Sequence, residues 1–444
     1  LPGINRAICT SLMVYVAIRL FCGAGSLALV LSGHAARAQD VSASPTVGTV
    51  FDRQRTVAVS ERVQSGFEEV GKRLDGFIIY PRITAVVAFD DNVRARSQDR
   101  QSDAALSIQP SINAVSDWTR HQVGLTASAG VTRFLNLKTE NTETYSVQGE
   151  GRYDAGNEVR LYGFAGLRRD VERRNAPGAL RNSLKPLAYQ TATGGGQLTW
   201  QGSRMRLSAN GTVARVTYGD LRTFDGAVLN SRDLNRTRYQ ASARAEYAIT
   251  ADLAVLVNGS VSKIDYNLQP GSSTPDRSAR RVELLGGVSF EFTDLLRGEV
   301  ALGYIKQDFR SPGIRDFSGF GGRARVEYFP TRLTTVTFDA SRTLQEAGNP
   351  LAPSYRRTRA AIRVDHELYR YVLISGFADY ETNQFQLPQR TERRPHVGLS
   401  GQYLVDRHVT LFARYDHLRI TSRPANLGLR LTDNVLSIGV LFKP

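Results

Sequence analysis

Arg238-Tyr239-Gln240-Ala241-Ser242-Ala243-Arg244-Ala245-Glu246-Tyr247 assigns every second residue to one of two unlike sets. Tyr239, Ala241, Ala243, Ala245 and Tyr247 form one set, and Arg238, Gln240, Ser242, Arg244 and Glu246 the other. A period of two marks a β-strand, whose successive side chains point to opposite faces. One face carries full charges and needs water beside it, whereas the other needs apolar surroundings. The same reading sets Leu106, Ile108, Ile112 and Ala114 against Ser107, Gln109, Ser111 and Asn113. It also sets Ala360, Ile362, Val364 and Leu368 against Arg359, Arg363, Asp365 and Glu367. Repeated from Gly76 onward, the pattern gives about eighteen strands, within a range of roughly sixteen to twenty. The first lies near 76–89, and later ones near 333–343, 371–381, 395–405, 408–417 and 433–443.

The connections alternate in length. Tight turns such as Thr119-Arg120, Tyr369-Arg370 and Asp406-Arg407 follow the even-numbered strands, and longer polar loops at 90–103, 169–185, 219–235 and 381–394 follow odd ones. Trp118, Tyr153, Trp200, Tyr247, Phe292, Tyr328, Tyr403 and Phe442 end the descending strands in phase with the apolar face. Aromatic rings favour the boundary between lipid and water, so these eight read as a girdle at the periplasmic end. In hydrocarbon every backbone N–H and C=O needs a partner, so strands span a bilayer only as a closed sheet. The expected fold is therefore all-β: a transmembrane antiparallel up-and-down barrel with short periplasmic turns and longer extracellular loops. Pro110 faces lipid in mid-strand and lacks a ladder donor, so a bulge or register shift is expected there. Gly194-Gly195-Gly196 is expected to relieve curvature within a strand.

Residues 1–38 differ in kind. Arg6, an apolar stretch from Ile8 to Leu31, and Ala36-Arg37-Ala38 make a charged start, an apolar middle and an A-x-A site, predicting a secretory signal cleaved before Gln39. Cys9 and Cys22 both lie in that segment, so the mature chain would contain no disulfide. The net charge of +15 includes Arg6, Arg19 and Arg37 with no acid among residues 1–38, leaving +12, which in an exported chain does not point to nucleic acid. Residues 39–75 form a periplasmic lead-in, long enough for a short helix, for which Val63, Phe67 and Val70 are spaced, or for a partial plug, and residues 76–444 form the barrel. The lead-in is too short for the folded plug of a TonB-dependent transporter, and no autotransporter passenger is evident.

Gly76-Phe77-Ile78-Ile79-Tyr80-Pro81-Arg82-Ile83, followed by Phe89-Asp90-Asp91-Asn92-Val93, resembles the opening of the β-barrel porin type 2 family of bacterial outer membranes. That family combines a periplasmic lead-in, a G-F-x-x-Y-P strand start and a first loop opening on D-D-N. The likeness is specific over about twenty residues and architectural beyond them. Leu436 to Phe442 is similar to the terminal strand recognised in barrel assembly, although Lys443 and Pro444 follow its last aromatic residue. The resemblance implies barrel-assembly machinery, outer-membrane lipid and lipopolysaccharide as partners. It also implies a link to surface polysaccharide or its export components.

No residue pattern calls for a cofactor or metal. Barrel hydrolases need a nucleophile beside a His or carboxylate base. His121 and His408 fall at turns, His366 faces lipid and His417 borders a loop, whereas His396 alone faces the lumen and reads as a solvated side chain. No enzyme activity is expected. Alternation places Arg160, Arg168, Arg238, Arg244, Arg281, Arg297, Arg323, Arg325, Arg359 and Arg363 on the lumen wall. Glu246, Glu283, Glu291, Glu299, Glu327, Asp365 and Glu367 stand among them. This modest basic excess predicts a weak anion preference, unless the charges pair across strands. A barrel of this size leaves an aqueous path unless loops enter it. The expected function is a porin-like channel or conduit for small solutes or surface polymer, and the alternative is an occluded barrel serving as scaffold or binding component of a polysaccharide system.

Overall fold

The computed structural model describes residues 57–180, 182–229, 231–272, 274–347, 354–424 and 430–444. The expected cleavage site at Ala38 and the first part of the expected lead-in lie outside the described residues. Eighteen long strands make the wall. The first nine are β1 Phe77–Asp90, β2 Asp103–Ser116, β3 Gln122–Phe134, β4 Thr142–Ala155, β5 Val159–Val171, β6 Ala188–Gln201, β7 Met205–Tyr218, β8 Arg236–Ala248 and β9 Leu253–Tyr266. They are followed by β10 Ala279–Phe292, β11 Leu296–Phe309, β12 Phe317–Thr331, β13 Thr334–Glu346, β14 Ser354–Tyr369, β15 Val372–Phe385, β16 Arg390–Leu404, β17 Val409–Arg423 and β18 Arg430–Phe442. Each pairs antiparallel with its neighbour in sequence.

The barrel closes where Ile83–Asp90 of β1 meets Val435–Phe442 of β18, with Ile83 opposite Phe442 and Asp90 opposite Val435. Below that seam the start of β1 pairs instead with a short lead-in strand, Lys72–Leu74, through a hairpin at Asp75 and Gly76. The lead-in thus covers an edge that β18 does not reach, leaving fewer unpaired backbone groups.

Tyr239, Val257, Leu284, Leu302 and Phe338 are exposed on the outer face, while Ala301 and Thr335 on the inner face are buried. The barrel is therefore apolar outside and polar within, as membrane insertion requires. Pro110 introduces neither a bulge nor a slip. Its register with β1 is continuous at Ile83, and the ladder to β3 only lapses at Gln109 and Pro110 before resuming in the same register. Losing one N–H interrupts the ladder without adding a residue. Gly195 lies under the Phe164 ring of β5, where a Cβ would come within 2.9 Å of that ring.

The spacing of Val63, Phe67 and Val70 does not produce a helix. Residues 57–71 form turns, Gly66 takes φ +89°, and Val63 and Val70 remain exposed. The last strands also extend farther than alternation indicates. β15 runs to Phe385, β16 begins at Arg390 and β17 continues to Arg423, so His417 lies in mid-strand and residues 386–389 alone connect β15 to β16.

Candidate functional site: the lumen and its two mouths

Each of the ten lumen arginines singled out by alternation has a carboxylate within 4.0 Å. Arg244 of β8 spans from Glu246 on its own strand to Glu299 on β11, 2.6 Å away. Arg297 reaches Glu327 at 2.6 Å, and Arg325 meets the same carboxylate at 2.8 Å. Arg323 lies 4.0 Å from Glu299, Arg363 2.8 Å from Asp365, and Arg359 3.4 Å from Asp379. Arg160 bonds Asp154 at 3.0 Å, and Arg168 lies 3.3 Å from Asp170. Glu291 is buried, and Glu283 follows Arg281 by two residues on the same face. Where both partners are largely buried, as for Arg244 with Glu299 and Arg297 with Glu327, leaving one partner alone is costly and the pair stiffens the wall, whereas the more exposed pairs at Arg160 and Arg168 add little.

Glu346 gathers Arg238 and Arg281, the latter at 2.9 Å. It lies at the end of β13, beyond the 333–343 boundary expected from the pattern. Pairing between β12 and β13 begins only at Gly322 and Arg342, so residues 343–346 keep β14 alone as partner and lean into the bore. That inclination brings Glu346 to β8 and β10.

Both mouths contain chain. At the turn end, the Val59 N–H donates to Thr335 Oγ1 (3.0 Å), Gln64 and Arg62 donate to Glu367 (3.0 and 3.3 Å), and Arg82 of β1 donates to Glu69 (2.9 Å). Ala58 and Val59 are buried, so the lead-in crosses the periplasmic mouth from β13 and β14 toward β1.

At the loop end, residues 172–180 and 182–187 after β5 reach the opposite wall. Asn175 donates to Asp433 of β18 (2.8 Å), Arg394 of β16 donates to the Asn175 carbonyl (2.6 Å), and Arg174 is held by Glu140 (2.9 Å). Gly178, at φ +75°, passes so close to Ala347 that a Cβ would stand 3.1 Å from the alanine methyl group. A residue that is both left-handed and crowded has to be glycine.

His396 is half-buried rather than free in solvent. Its Nδ1 lies 3.2 Å from Asp379 and its Nε2 3.0 Å from Asp416. With both ring nitrogens engaged by carboxylates, neither is left to take a proton from a nucleophile.

The D-D-N motif at Asp90 to Asn92 forms a latch. The Asn92 side chain is buried and donates to the Arg96 and Thr432 carbonyls (2.9 and 3.0 Å), while Asp90 accepts from the Asn92 N–H (2.7 Å). Asp91 accepts from Asn434 and from Arg100 (2.6 Å). Burial pushes its carboxyl up, but these hydrogen bonds outweigh burial and hold it below the usual carboxylate range.

Tyr153, Tyr247, Phe292, Tyr328, Tyr403 and Phe442 are exposed on the outer face at the turn end. Trp118 stands just past β2, and half-buried Trp200 donates its indole N–H to Glu158 (3.1 Å). Alternation missed Tyr369 and Tyr371, whose stacked rings (5.5 Å) flank the β14–β15 turn. It placed Tyr239 outward but did not join it to Phe89, Tyr304, Phe320, Tyr380 and Tyr415 as an upper set exposed toward the loop end.

A closed eighteen-strand wall with an apolar outer face and a charged bore, entered by loops from one end, defines an outer-membrane barrel of the porin type. The chain belongs to the family described as "Putative beta-barrel porin 2", whose model matches residues 64–443. Among solved structures it is similar to Pseudomonas aeruginosa OccK2 (OpdF) in complex with glucuronate, at 12% identity over 82% of this chain and 98% of that one, with a TM-score of 0.46. It is also similar to the Pseudomonas aeruginosa outer membrane protein opdK (9% identity, 82% and 99% covered, TM-score 0.45). A third is Acinetobacter baumannii OccAB4 (11%, 82% and 98%, 0.45). No curated protein sequence matches the chain.

Proposed function

We propose that this barrel is a narrow, passive channel for small polar solutes, with little preference between anions and cations. The observation that carries the reading is the pairing of the ten lumen arginines, each within 4.0 Å of a carboxylate. Unpaired arginines would focus an anion-attracting potential in the bore. Paired ones leave local dipoles, which salt screens over about 8 Å at physiological strength. The count along the sequence omitted inner-face acids, among them Asp154, Asp339, Asp379 and Glu346, and inner-face arginines, among them Arg152, Arg390, Arg394 and Arg414, and these too lie beside opposite charges. The chain segments in both mouths favour small cargo over a polymer strand. Delivery by removal of residues 1–38 belongs to the same proposal, with a mature mass beginning at Gln39 as its check.

Single-channel recordings in a potassium chloride gradient test the channel. Small discrete open levels reversing near zero are expected, and replacing Arg323, Arg325, Arg359 and Arg363 with glutamine should shift the reversal toward cations by freeing their acids. A barrel that never opens, or one strongly selective for anions, overturns the reading.

A further inference from the structure

On β16, β17 and β18 the outward positions change character along the strand. From the turn end they read Tyr403, Leu399 and Val397 on β16, Leu411 and Tyr415 on β17, and Phe442, Ile438 and Leu436 on β18, all exposed. Above this band the same face carries Arg393, Arg419, Arg423 and Arg430, all exposed. Arg393 and Arg430 each stand opposite Thr421, Arg419 stands opposite Thr432, and Arg423 opposite Thr391. Adjacent strands are about 4.8 Å apart, so the row from Arg393 to Arg430 spans only about 10 Å. Together with Tyr380 these arginines line an open groove of about 720 Å³ on the outer face.

None of the four guanidinium groups has a hydrogen-bond, ion-pair or ring partner among the described residues. The contrast with their surroundings is sharp. On the inner face at the same height, Arg390 lies 3.1 Å from Glu392, and Arg394 3.6 Å from Glu381. Outward cations on another sector have their own acids, with Lys263 2.7 Å from Asp265 and Lys306 3.0 Å from Asp308. Four unneutralised cations held close together repel one another unless an anion joins them. Guanidinium groups bind phosphate oxygens in paired, charge-assisted hydrogen bonds, and the flanking threonine hydroxyls can add neutral ones.

We propose that this groove binds the phosphate groups of an anionic lipid of the outer leaflet. The position favours lipid as the source. The groove opens away from the bore, so a solute in transit does not meet it, and it lies directly above the exposed rings of Tyr380 and Tyr415, at the level where headgroups meet acyl chains. The site is independent of what the lumen passes.

Delipidated wild-type barrel, folded in zwitterionic detergent, is titrated with bisphosphorylated lipid A and with fully dephosphorylated lipid A, and bound lipid is read by native mass spectrometry. The phosphorylated form should bind at least about tenfold more tightly. Arg419→Gln with Arg430→Gln should remove that preference, while Arg419→Lys with Arg430→Lys should keep most of it. Equal binding of the two lipids by the wild-type barrel overturns the proposal even if the glutamine variant fails to fold, and so does unchanged preference in a folded variant. Full displacement of lipid A by millimolar inorganic phosphate would assign the groove to a soluble anion and overturn the lipid source.

Discussion

Asp91 of the first loop accepts two hydrogen bonds from Asn434 of the last strand, one from its backbone N–H at 2.8 Å and one from its side chain at 2.6 Å. The pair continues the seam past the last residues that β1 and β18 match, and Asn92 adds a bond to the Thr432 carbonyl.

Asp91→Ala should therefore destabilise the folded barrel by about 1–3 kcal/mol, since it strands two donors of Asn434 at the seam. Because the folded carboxyl is held below its usual range, the stabilisation is complete above the unfolded value and is lost as pH falls through the folded one. Melting temperatures of wild type and Asp91→Ala should converge in strong acid. A difference constant with pH would separate the latch from the charge of Asp91.

Outward orientation at mid-height is tested on β8. Ala243 is exposed on the outer face, midway between Tyr239 and Tyr247. Those rings are about 27 Å apart along the strand, or about 20 Å along the membrane normal at the usual tilt of about 40°. Ala243→Arg should cost about 2–4 kcal/mol in lipid, while Ser242→Arg, facing the bore, should cost far less. Equal penalties in lipid unfolding titrations would mean that the strand faces are misassigned.

Alternation is legible wherever one face meets lipid and the other meets water, which accounts for the strand number and for the facing of Arg244 and Glu246. It fades above the headgroups, where both faces are wet. There Glu381, Arg390, Glu392 and Arg394 read as a polar loop, yet they form strand ends joined by inward ion pairs. Glu346 escaped notice for a different reason. Its meeting with Arg238 and Arg281 depends on β13 leaving β12 and leaning inward, which no local pattern encodes. The D-D-N run stood out in the sequence, but its work is done by Asn434 and Thr432, more than three hundred residues away.

Phe442 lies between Val409 of β17 and Ile83 of β1, and the Lys443 N–H extends the ladder by donating to the His408 carbonyl (2.7 Å). Deleting Leu441 to Pro444 should reduce the heat-modifiable, folded fraction on electrophoresis. Full recovery of folded barrel would show that closure does not depend on these last residues.

Removing residues 57–70 should raise single-channel conductance, because this segment occupies the periplasmic mouth beside Thr335 and Glu367. Glu367→Gln should give a smaller rise by weakening the bond from Arg62. Conductance unchanged in both would place the narrowest point elsewhere, with the 172–187 loop the first candidate.

The lead-in behaves as a ligand joined to its own receptor. Lys72–Leu74 is paired with β1, so the contacts of Val59, Arg62 and Gln64 form at an effective concentration in the millimolar range rather than that of a free peptide. Half-filling at a millimolar concentration takes about 4 kcal/mol, so the three hydrogen bonds, worth about 1 kcal/mol each, hold the segment only together with the burial of Ala58 and Val59, and each is weak enough to release in turn. Dilution leaves such a stopper in place, and a competing peptide added in solution has to exceed millimolar concentrations to displace it.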